Sequence, residues 1–383
     1  MAIVTAPAVG PPLGGWITDS FSWRWVFFIN VPIGIISLVL TSRLLSDPPE
    51  FKREVEAARQ AGRMKVDYLG ILLIAVGFSC LEVVLDRGER LDWFESDFIA
   101  TFFVIAIVAL IAAVIWELRQ QDPIVDLSLL NEHNFALSNF FYFLFGFVLF
   151  GSTVLIPQML QSLYGYTATD AGLVLGPGAM VIVVMAPLIV RLVKRIPVSW
   201  MIGFGFSVLV CSMWYFASFN LATNYGKEAW ARIVSGFGIA FLFVPTSQLA
   251  YSYLPKNKNN KASSLTNLFR NQGGSFGIAF VTTVLARRTQ YHQSVLVTHI
   301  GNFDRSFSDT LGQIAQRFID HGYSAADAAT SGIAQVAAIV QQQASMMAFL
   351  DCFWLLGLVA VAGPVLAIFI RKFNQQGGGG AAH

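Results

Sequence analysis

The sequence predicts an all-α polytopic membrane protein, and three observations support this fold class. Of the 383 residues, 55% are hydrophobic and only 13% are charged, whereas a soluble domain carries about 25% charged residues. The 33 Phe and 9 Trp side chains are more than a soluble fold of this length would bury. Apolar runs of about 20 residues, the length that spans a bilayer, recur along the whole chain.

Ten of these runs are candidates for transmembrane helices. In chain order we expect helices at about 1–18, 24–45, 68–85, 98–117, 135–160, 170–190, 198–218, 229–253, 264–286 and 346–370. Two of the links between them are long. The link at 46–67 mixes charged residues with alanine, which predicts a helix. The link at 287–345 contains Ala- and Gln-rich amphipathic stretches that would pack on the protein's own outer face or on a partner.

The distribution of Lys and Arg predicts the orientation, because cytoplasmic loops retain these residues. Alternating the links between the two sides places 16 of the 25 basic residues on one side. That side includes the link at 46–67, the C-terminus and the start of the chain, so all three are predicted to be cytoplasmic. The link at 287–345 is then extracytoplasmic.

Several function classes are disfavoured by composition. A net charge of +2 over this length provides no basic stripe for nucleic acid. Cys80, Cys211 and Cys352 lie far apart in apolar runs, and the five His residues form no ligand pattern. The sequence shows no cluster of a nucleophile and a base that would indicate an enzyme. We therefore expect no metal and no cofactor.

The most specific stretch contains Gly10, Pro11, Pro12, Gly14 and Gly15. Gly10 and Gly14 form a small-residue face that would let a neighbouring helix approach closely. Pro11 and Pro12 remove backbone donors and favour a bend. Taken alone, this pattern indicates a kinked packing helix.

The wider string is more informative. Gly-Pro-x-x-Gly-Gly, followed at 23–34 by Trp-Arg-Trp-x-Phe-Phe-Ile-Asn-x-Pro-Ile-Gly, resembles the antiporter motif of the major facilitator superfamily. More closely, it resembles the fourteen-helix drug:proton antiporters of the EmrB/QacA type. The resemblance covers essentially the whole chain, because other segments agree in order, namely 67–70, 88–93, 123–127, 165–178, 267–277 and the Gly-rich tail ending in His383.

This resemblance implies a proton-driven exporter of hydrophobic, drug-like compounds from the bacterial inner membrane, and hence antibiotic resistance. It implies a periplasmic adaptor (a membrane fusion protein) and an outer-membrane channel as partners, together with the lipid bilayer. Carried over, Gly10, Pro11, Gly14 and Gly15 seal the leak path between the two helical bundles.

The resemblance also implies a division of the chain. The antiporter motif lies on the fifth helix of the family, so we expect the first four family helices to be missing, that is, an N-terminal truncation. The expected segments are the last two helices of the N-terminal bundle (1–45), a cytoplasmic loop (46–67), two inserted linker helices (68–117), a cytoplasmic link (118–134), the C-terminal six-helix bundle (135–370) with its periplasmic loop (287–345), and a cytoplasmic Gly-rich tail (371–383). Alternating access requires both bundles, so the alternative is a truncated, non-transporting membrane remnant or assembly partner.

Polar side chains inside the predicted helices are candidates for cavity lining or proton linkage, because they are costly in a bilayer. The candidates are Gln158, Gln248, Asn267, Arg270, Glu82 and Asp351. The three neutral amides line the translocation cavity or bond between helices. Glu82 is proton-linked or makes a structural hydrogen bond. Asp351 is proton-linked or interfacial, and Arg270 is functional or anchors the inner end of its helix.

Overall fold

The computed structural model describes residues 2–44, 67–120, 123–252, 254, 258–298 and 305–371. Within these residues every regular element is a helix. The α-helices are α1 (Ala2–Ser20), α2 (Trp25–Phe28), α3 (Asn30–Leu44), α4 (Tyr68–Arg87), α5 (Asp97–Glu117), α6 (His133–Leu163), α7 (Ala168–Leu192), α8 (Val198–Phe216), α9 (Tyr225–Tyr251), α10 (Asn259–Thr298), α11 (Arg305–Asp320), α12 (Ala325–Ala360) and α13 (Ala362–Ala367). Short 3-10 turns occupy Glu89–Leu91, Trp93–Glu95 and Leu127–Asn131.

The predicted all-α polytopic fold is confirmed, because the described part of each of the ten apolar runs is helical almost throughout. Among the described residues, eight helical segments are long and apolar enough to cross a membrane. The two remaining runs, in α1 and α10, are less apolar, since α1 is rich in Gly and Pro and α10 carries polar residues at both ends. The predicted helix at 46–67 lies outside the described residues except for Asp67, and so does the tail beyond residue 371.

The segment between the last two spans is largely helical. Helix α10 continues to Thr298 and α12 begins at Ala325, so both extend well beyond the apolar runs. The amphipathic helix α11 packs on α12, where Leu311 contacts the backbone at Gly332. The two amphipathic stretches of this link thus pack on each other.

Links predicted to share a side of the membrane lie at the same end of the bundle. At one end the Tyr164 hydroxyl donates to the Asn220 carbonyl at 2.7 Å. At the opposite end the Asn134 side-chain amide donates to the Arg371 carbonyl at 3.1 Å. We call the first the outer end and the second the inner end, following the predicted orientation.

The core of the bundle formed by α6 to α10, α12 and α13 consists of two adjoining apolar clusters. In the inner cluster the rings of Phe141 and Phe206 lie 5.8 Å apart. In the outer cluster the rings of Phe216 and Phe353 stack at 5.0 Å. All four side chains are fully buried, so both halves of the bundle have a packed apolar interior.

Glycines allow two helix pairs in this bundle to touch through their backbones. A β-carbon at Gly146 of α6 would lie 2.1 Å from the Arg270 carbonyl oxygen of α10. A β-carbon at Gly236 of α9 would lie 2.1 Å from the Gly178 carbonyl oxygen of α7. No other residue fits at such distances, and small residues at helix crossings are the usual means of close packing in a membrane.

Helices α4 and α5 form a hairpin beside the bundle. The Asp67 carboxylate caps α4 by accepting from the Gly70 N–H at 2.9 Å. Its second oxygen accepts from the Trp116 indole N–H at 2.8 Å, which fastens the start of α4 to the end of α5. Helices α2 and α3, by contrast, contain no buried residue.

Candidate functional site

The segment that carries the Gly/Pro motif packs along α7. A β-carbon at Gly15 would lie 2.3 Å from the Ala168 carbonyl oxygen. On the facing helix, a β-carbon at Gly172 would lie 2.4 Å from the Pro11 carbonyl oxygen. Helices α1 and α7 are therefore in backbone contact at two points, and we call this contact the α1–α7 seam.

The face of α1 that meets α7 is not the one that contains Gly10 and Gly14. Gly10 and Gly14 have nothing within 4 Å of a β-carbon placed on them, among the described residues. The face that touches α7 is formed by Pro11 and Gly15, one residue further along the helix. Both faces consist of small residues or proline, so spacing alone did not distinguish them.

A carboxylate closes the outer end of the seam. The Asp19 side chain accepts from the Thr169 N–H at 2.7 Å and from the Thr169 hydroxyl at 2.6 Å. It thus caps the first turn of α7, where a negative charge is favourable. Sequence reasoning missed Asp19, because the partner lies 150 residues away.

A cavity lies at the outer end, between α4, α6, α10 and α12. Its volume is about 1140 Å³, comparable to pockets that hold drug-sized ligands. Its walls are rich in amide side chains, namely Gln158, Gln290, Gln293, Gln335, Gln341 and Gln342. The apolar residues that complete it include Val154, Ile278, Leu285, Ile339 and Phe349.

Of the six polar candidates from the sequence, Gln158 lines this outer cavity. Gln248 is exposed on α9 and does not. Asn267 and Arg270 interact with each other on α10, where the guanidinium donates to the Asn267 amide oxygen at 2.9 Å. Glu82 accepts from the Ser275 hydroxyl at 2.9 Å and so joins α4 to α10.

The sixth candidate, Asp351, belongs to a three-residue network near the cavity. It lies 2.6 Å from Nε of Arg288 and 2.7 Å from Nε2 of His292. Both partners are on α10, whereas Asp351 is on α12. The network therefore fastens the two helices together beside Thr289 and Gln290, which line the cavity.

A second pair of ionisable side chains was missed entirely. Glu228 is fully buried and Arg232 is 8% exposed, both near the outer end of α9. The sequence predicted that this helix begins at 229, which assigned Glu228 to a polar link. The observed helix begins at Tyr225, since the Asn224 side chain caps it by accepting from the Lys227 N–H at 3.2 Å.

Comparisons with known proteins agree with the sequence resemblance. The sequence model of the Major Facilitator Superfamily matches residues 1–278. The chain is 34% identical to the multidrug export protein EmrB of Escherichia coli K12, an alignment that covers 100% of this chain and 72% of that protein. EmrB of Haemophilus influenzae is 34% identical over 97% of this chain and 70% of its own length. The fatty acid resistance protein FarB of Neisseria gonorrhoeae is 32% identical, with 99% and 72% covered.

Proposed function

Because this chain belongs to the major facilitator superfamily, as an EmrB-like drug transporter, we propose that it exports hydrophobic, drug-like compounds in exchange for protons. The observation that carries the proposal is the similarity to multidrug export proteins along the whole chain. Relatives named for resistance to fatty acids and to colistin are consistent with a broad range of amphipathic substrates.

The α1–α7 seam supports a role in sealing. Gly15 and Gly172 bring the two backbones into contact, which leaves no room for a file of water molecules between them. The Asp19 carboxylate holds the outer end of the same seam. In a transporter whose bundles rock against each other, such a contact prevents protons from leaking past the substrate.

The outer cavity supports a role in substrate release. Its apolar residues offer contact area to the hydrophobic part of a substrate, and its glutamine side chains offer both donors and acceptors. Asp86, Glu89 and Arg90 add charges of both signs at the α4 side of the cavity. Such mixed partners suit many ligands in place of one. We assign to this cavity the last step before the substrate leaves at the outer end.

The orientation belongs to the same proposal. The excess of Lys and Arg on one side favours a C-terminus in the cytoplasm of the bacterium and an outer end in the periplasm. The hairpin of α11 and α12 then stands in the periplasm, where Ile333 is 58% exposed. We propose that this hairpin contacts a periplasmic adaptor, which connects the transporter to an outer-membrane channel.

A photo-crosslinking residue at Ile333 tests the adaptor contact. We expect it to capture a periplasmic adaptor in cells, whereas the same residue at Ile368, which is 80% exposed at the inner end, captures none. Equal capture at both positions, or unchanged capture after deletion of α11, would remove the hairpin from the adaptor interface.

Dye export tests the transport function itself. Cells that express this chain should lose preloaded ethidium faster than cells with an empty vector, and a protonophore should abolish the difference. The inserted amount of protein must be measured in each culture. Ethidium retention at full membrane insertion would contradict the proposal.

A second function, that of an assembly partner that does not itself transport, is favoured by one observation. No residue of α2 or α3 is buried, so this whole surface is available to other membrane helices. In that case the dye stays in the cell and the chain co-purifies with a second membrane protein.

A further inference from the structure

Glu228 and Arg232 form a buried ionisable pair that no part of the sealing or release site uses. Glu228 has no solvent exposure, and neither of its carboxyl oxygens has a hydrogen-bond partner in the described part of the chain. The Nε of Arg232 is likewise buried and unpartnered there, whereas its Nη1 donates to the Ser235 hydroxyl at 3.4 Å. An isolated ionised carboxylate in such a place is strongly disfavoured, and a carboxyl group escapes the penalty by binding a proton.

The spacing of the two residues would also allow the carboxylate to be stabilised by an ion pair. They lie four positions apart on α9, with the acid nearer the N-terminus, which is the favourable arrangement for an ion pair on one helix face. In the structure the carboxyl oxygens do not bond to the guanidinium. We infer two states for Glu228: a neutral acid beside Tyr166, and a carboxylate paired with Arg232. Proton binding and the ion pair exclude each other.

From this geometry, and resting on the proton-driven exchange proposed above, we propose that Glu228 is the proton-binding group of the transporter. Arg232 is the positioning residue that takes over the carboxylate when the proton leaves. The site lies near the outer end, so the proton enters from the side with the higher proton concentration in a respiring bacterium.

The other groups that face Glu228 come from the link between α6 and α7. Tyr164 lies within electrostatic reach of it, and Tyr166 lies close enough to interact with its carboxyl group directly. Asp170, in the first turn of α7, lies within reach of Tyr166. Burial and then the nearby Glu228 carboxylate raise the pKa of Tyr166 to about 12, so its phenol stays neutral and can donate a hydrogen bond. Lys227 on α9 points into solvent.

The facing part of α8 contributes a neutral group. The Ser212 hydroxyl donates to the Ala231 carbonyl at 3.0 Å and does not reach the carboxyl group. Arg232, one turn further along α9, is therefore the cation that we assign to a Glu228 carboxylate, and its guanidinium must leave the Ser235 hydroxyl to reach it.

The pair is mechanically linked to the α1–α7 seam through a single helix. A β-carbon at Gly178 of α7 would lie 2.5 Å from the Arg232 carbonyl oxygen and 2.7 Å from its Cγ. A shift of the Arg232 side chain would therefore change its contact with α7. The same helix carries Gly172, which touches Pro11 of α1. Proton occupancy at Glu228 can in this way influence the contact that the moving bundles share.

The test uses the whole chain reconstituted in liposomes and compares two modes of transport. Proton-driven dye uptake requires a proton carrier, whereas exchange of labelled for unlabelled dye without a pH gradient does not. We expect Glu228→Gln to reduce the first by about tenfold or more and to leave the second within about twofold of the unmodified protein. Glu95→Gln, the same chemical change at an exposed outer link, should leave both unchanged.

The outcomes separate the two proposals. If the unmodified protein shows no proton-driven uptake, the proposed function fails. If it shows such uptake and Glu228→Gln retains it, only the assignment of Glu228 is overturned. Should Glu228→Gln fail to fold, labelling of the unmodified protein with dicyclohexylcarbodiimide, which attacks protonated carboxyl groups in apolar surroundings, decides the matter. Modification of Glu228 that declines as the pH is raised supports the assignment, and its absence overturns it.

Discussion

Single residues in α1 decide how closely it can approach α7. Gly14 and Gly15 are neighbours in sequence but differ in their surroundings. A β-carbon placed on Gly15 would lie 2.3 Å from the Ala168 carbonyl oxygen, whereas one placed on Gly14 would have no described atom within 4 Å. The backbone oxygen cannot move aside without shifting the start of α7. The seam therefore depends on one glycine of the pair.

Gly15→Ala should consequently weaken the α1–α7 seam while Gly14→Ala should not. Overpacking of this kind costs about 1–3 kcal/mol. We expect a lower midpoint of thermal unfolding in detergent and a larger proton leak in liposomes for Gly15→Ala. Equal behaviour of the two alanine variants would show that the seam is not a tight contact in the membrane.

Asp126 is a second position where one side chain contributes measurably to the stability of the fold. Its carboxylate lies 2.8 Å from Nζ of Lys258 and also accepts from Ser128. Burial alone would raise the pKa of Asp126, but the hydrogen bonds from Lys258 and Ser128 outweigh burial and lower it. The interaction joins the link after α5 to the start of α10.

A depressed folded-state pKa means that Asp126 stabilises the fold above the unfolded-state pKa of about 3.9. This contribution is lost as the pH falls through the folded-state value. We expect Asp126→Asn to lower the free energy of unfolding by about 1 kcal/mol at neutral pH, since Lys258 is partly exposed. The difference between the two proteins should vanish in strong acid, and a difference that persists there would exclude the ion pair as its cause.

Among the elements, the outer halves of α10 and α12 are the clearest example of tertiary contacts that sequence did not reveal. Asp351 joins them through Arg288 and His292, which lie 63 and 59 residues away in the chain. These outer halves are polar, so hydropathy predicted only the apolar part of each helix. The bounds at 286 and 346 mark the end of the apolar runs and not the end of the helices.

Asp351→Asn should loosen this pair of helices without unfolding the bundle. Charge-assisted hydrogen bonds contribute about 1.5–3 kcal/mol when well buried, and less for Asp351, which is 28% exposed. We expect faster hydrogen exchange of backbone amides around Arg288 and His292. Asp309→Asn, on the exposed side of α11, serves as the control, and identical exchange in both variants would contradict the network.

Physical reasons separate the parts of the fold that the sequence predicts from the parts that it does not. Hydropathy located ten helices because the bilayer fixes both their length and their composition. It could not fix the register of α1 against α7, because two adjacent faces offered similar small residues. It also could not find Glu228, since burial of an acid in the first turn of α9 depends on links that fold over it.

At the scale of the whole molecule, the seam, the buried pair and the cavity all lie toward the outer end. Helix α7 touches α1 at Gly15 and α9 at Gly178, so it connects the motif helix with the buried pair on α9. The outer cavity opens beside the Asp351 network, between the inserted hairpin and the bundle. The α1–α7 seam, the Glu228 site and the outer cavity thus lie on helices that contact one another within the described structure.

Transport driven by a pH gradient alone is the most direct test of this account. The purified chain, reconstituted in liposomes with no membrane potential, should accumulate a hydrophobic dye against its own gradient when a pH gradient is imposed. The accumulation should disappear when an ionophore collapses the gradient, and protons should move in the opposite direction to the dye. Equal dye on both sides of the membrane, in liposomes that contain folded protein and a verified pH gradient, would contradict proton-driven export.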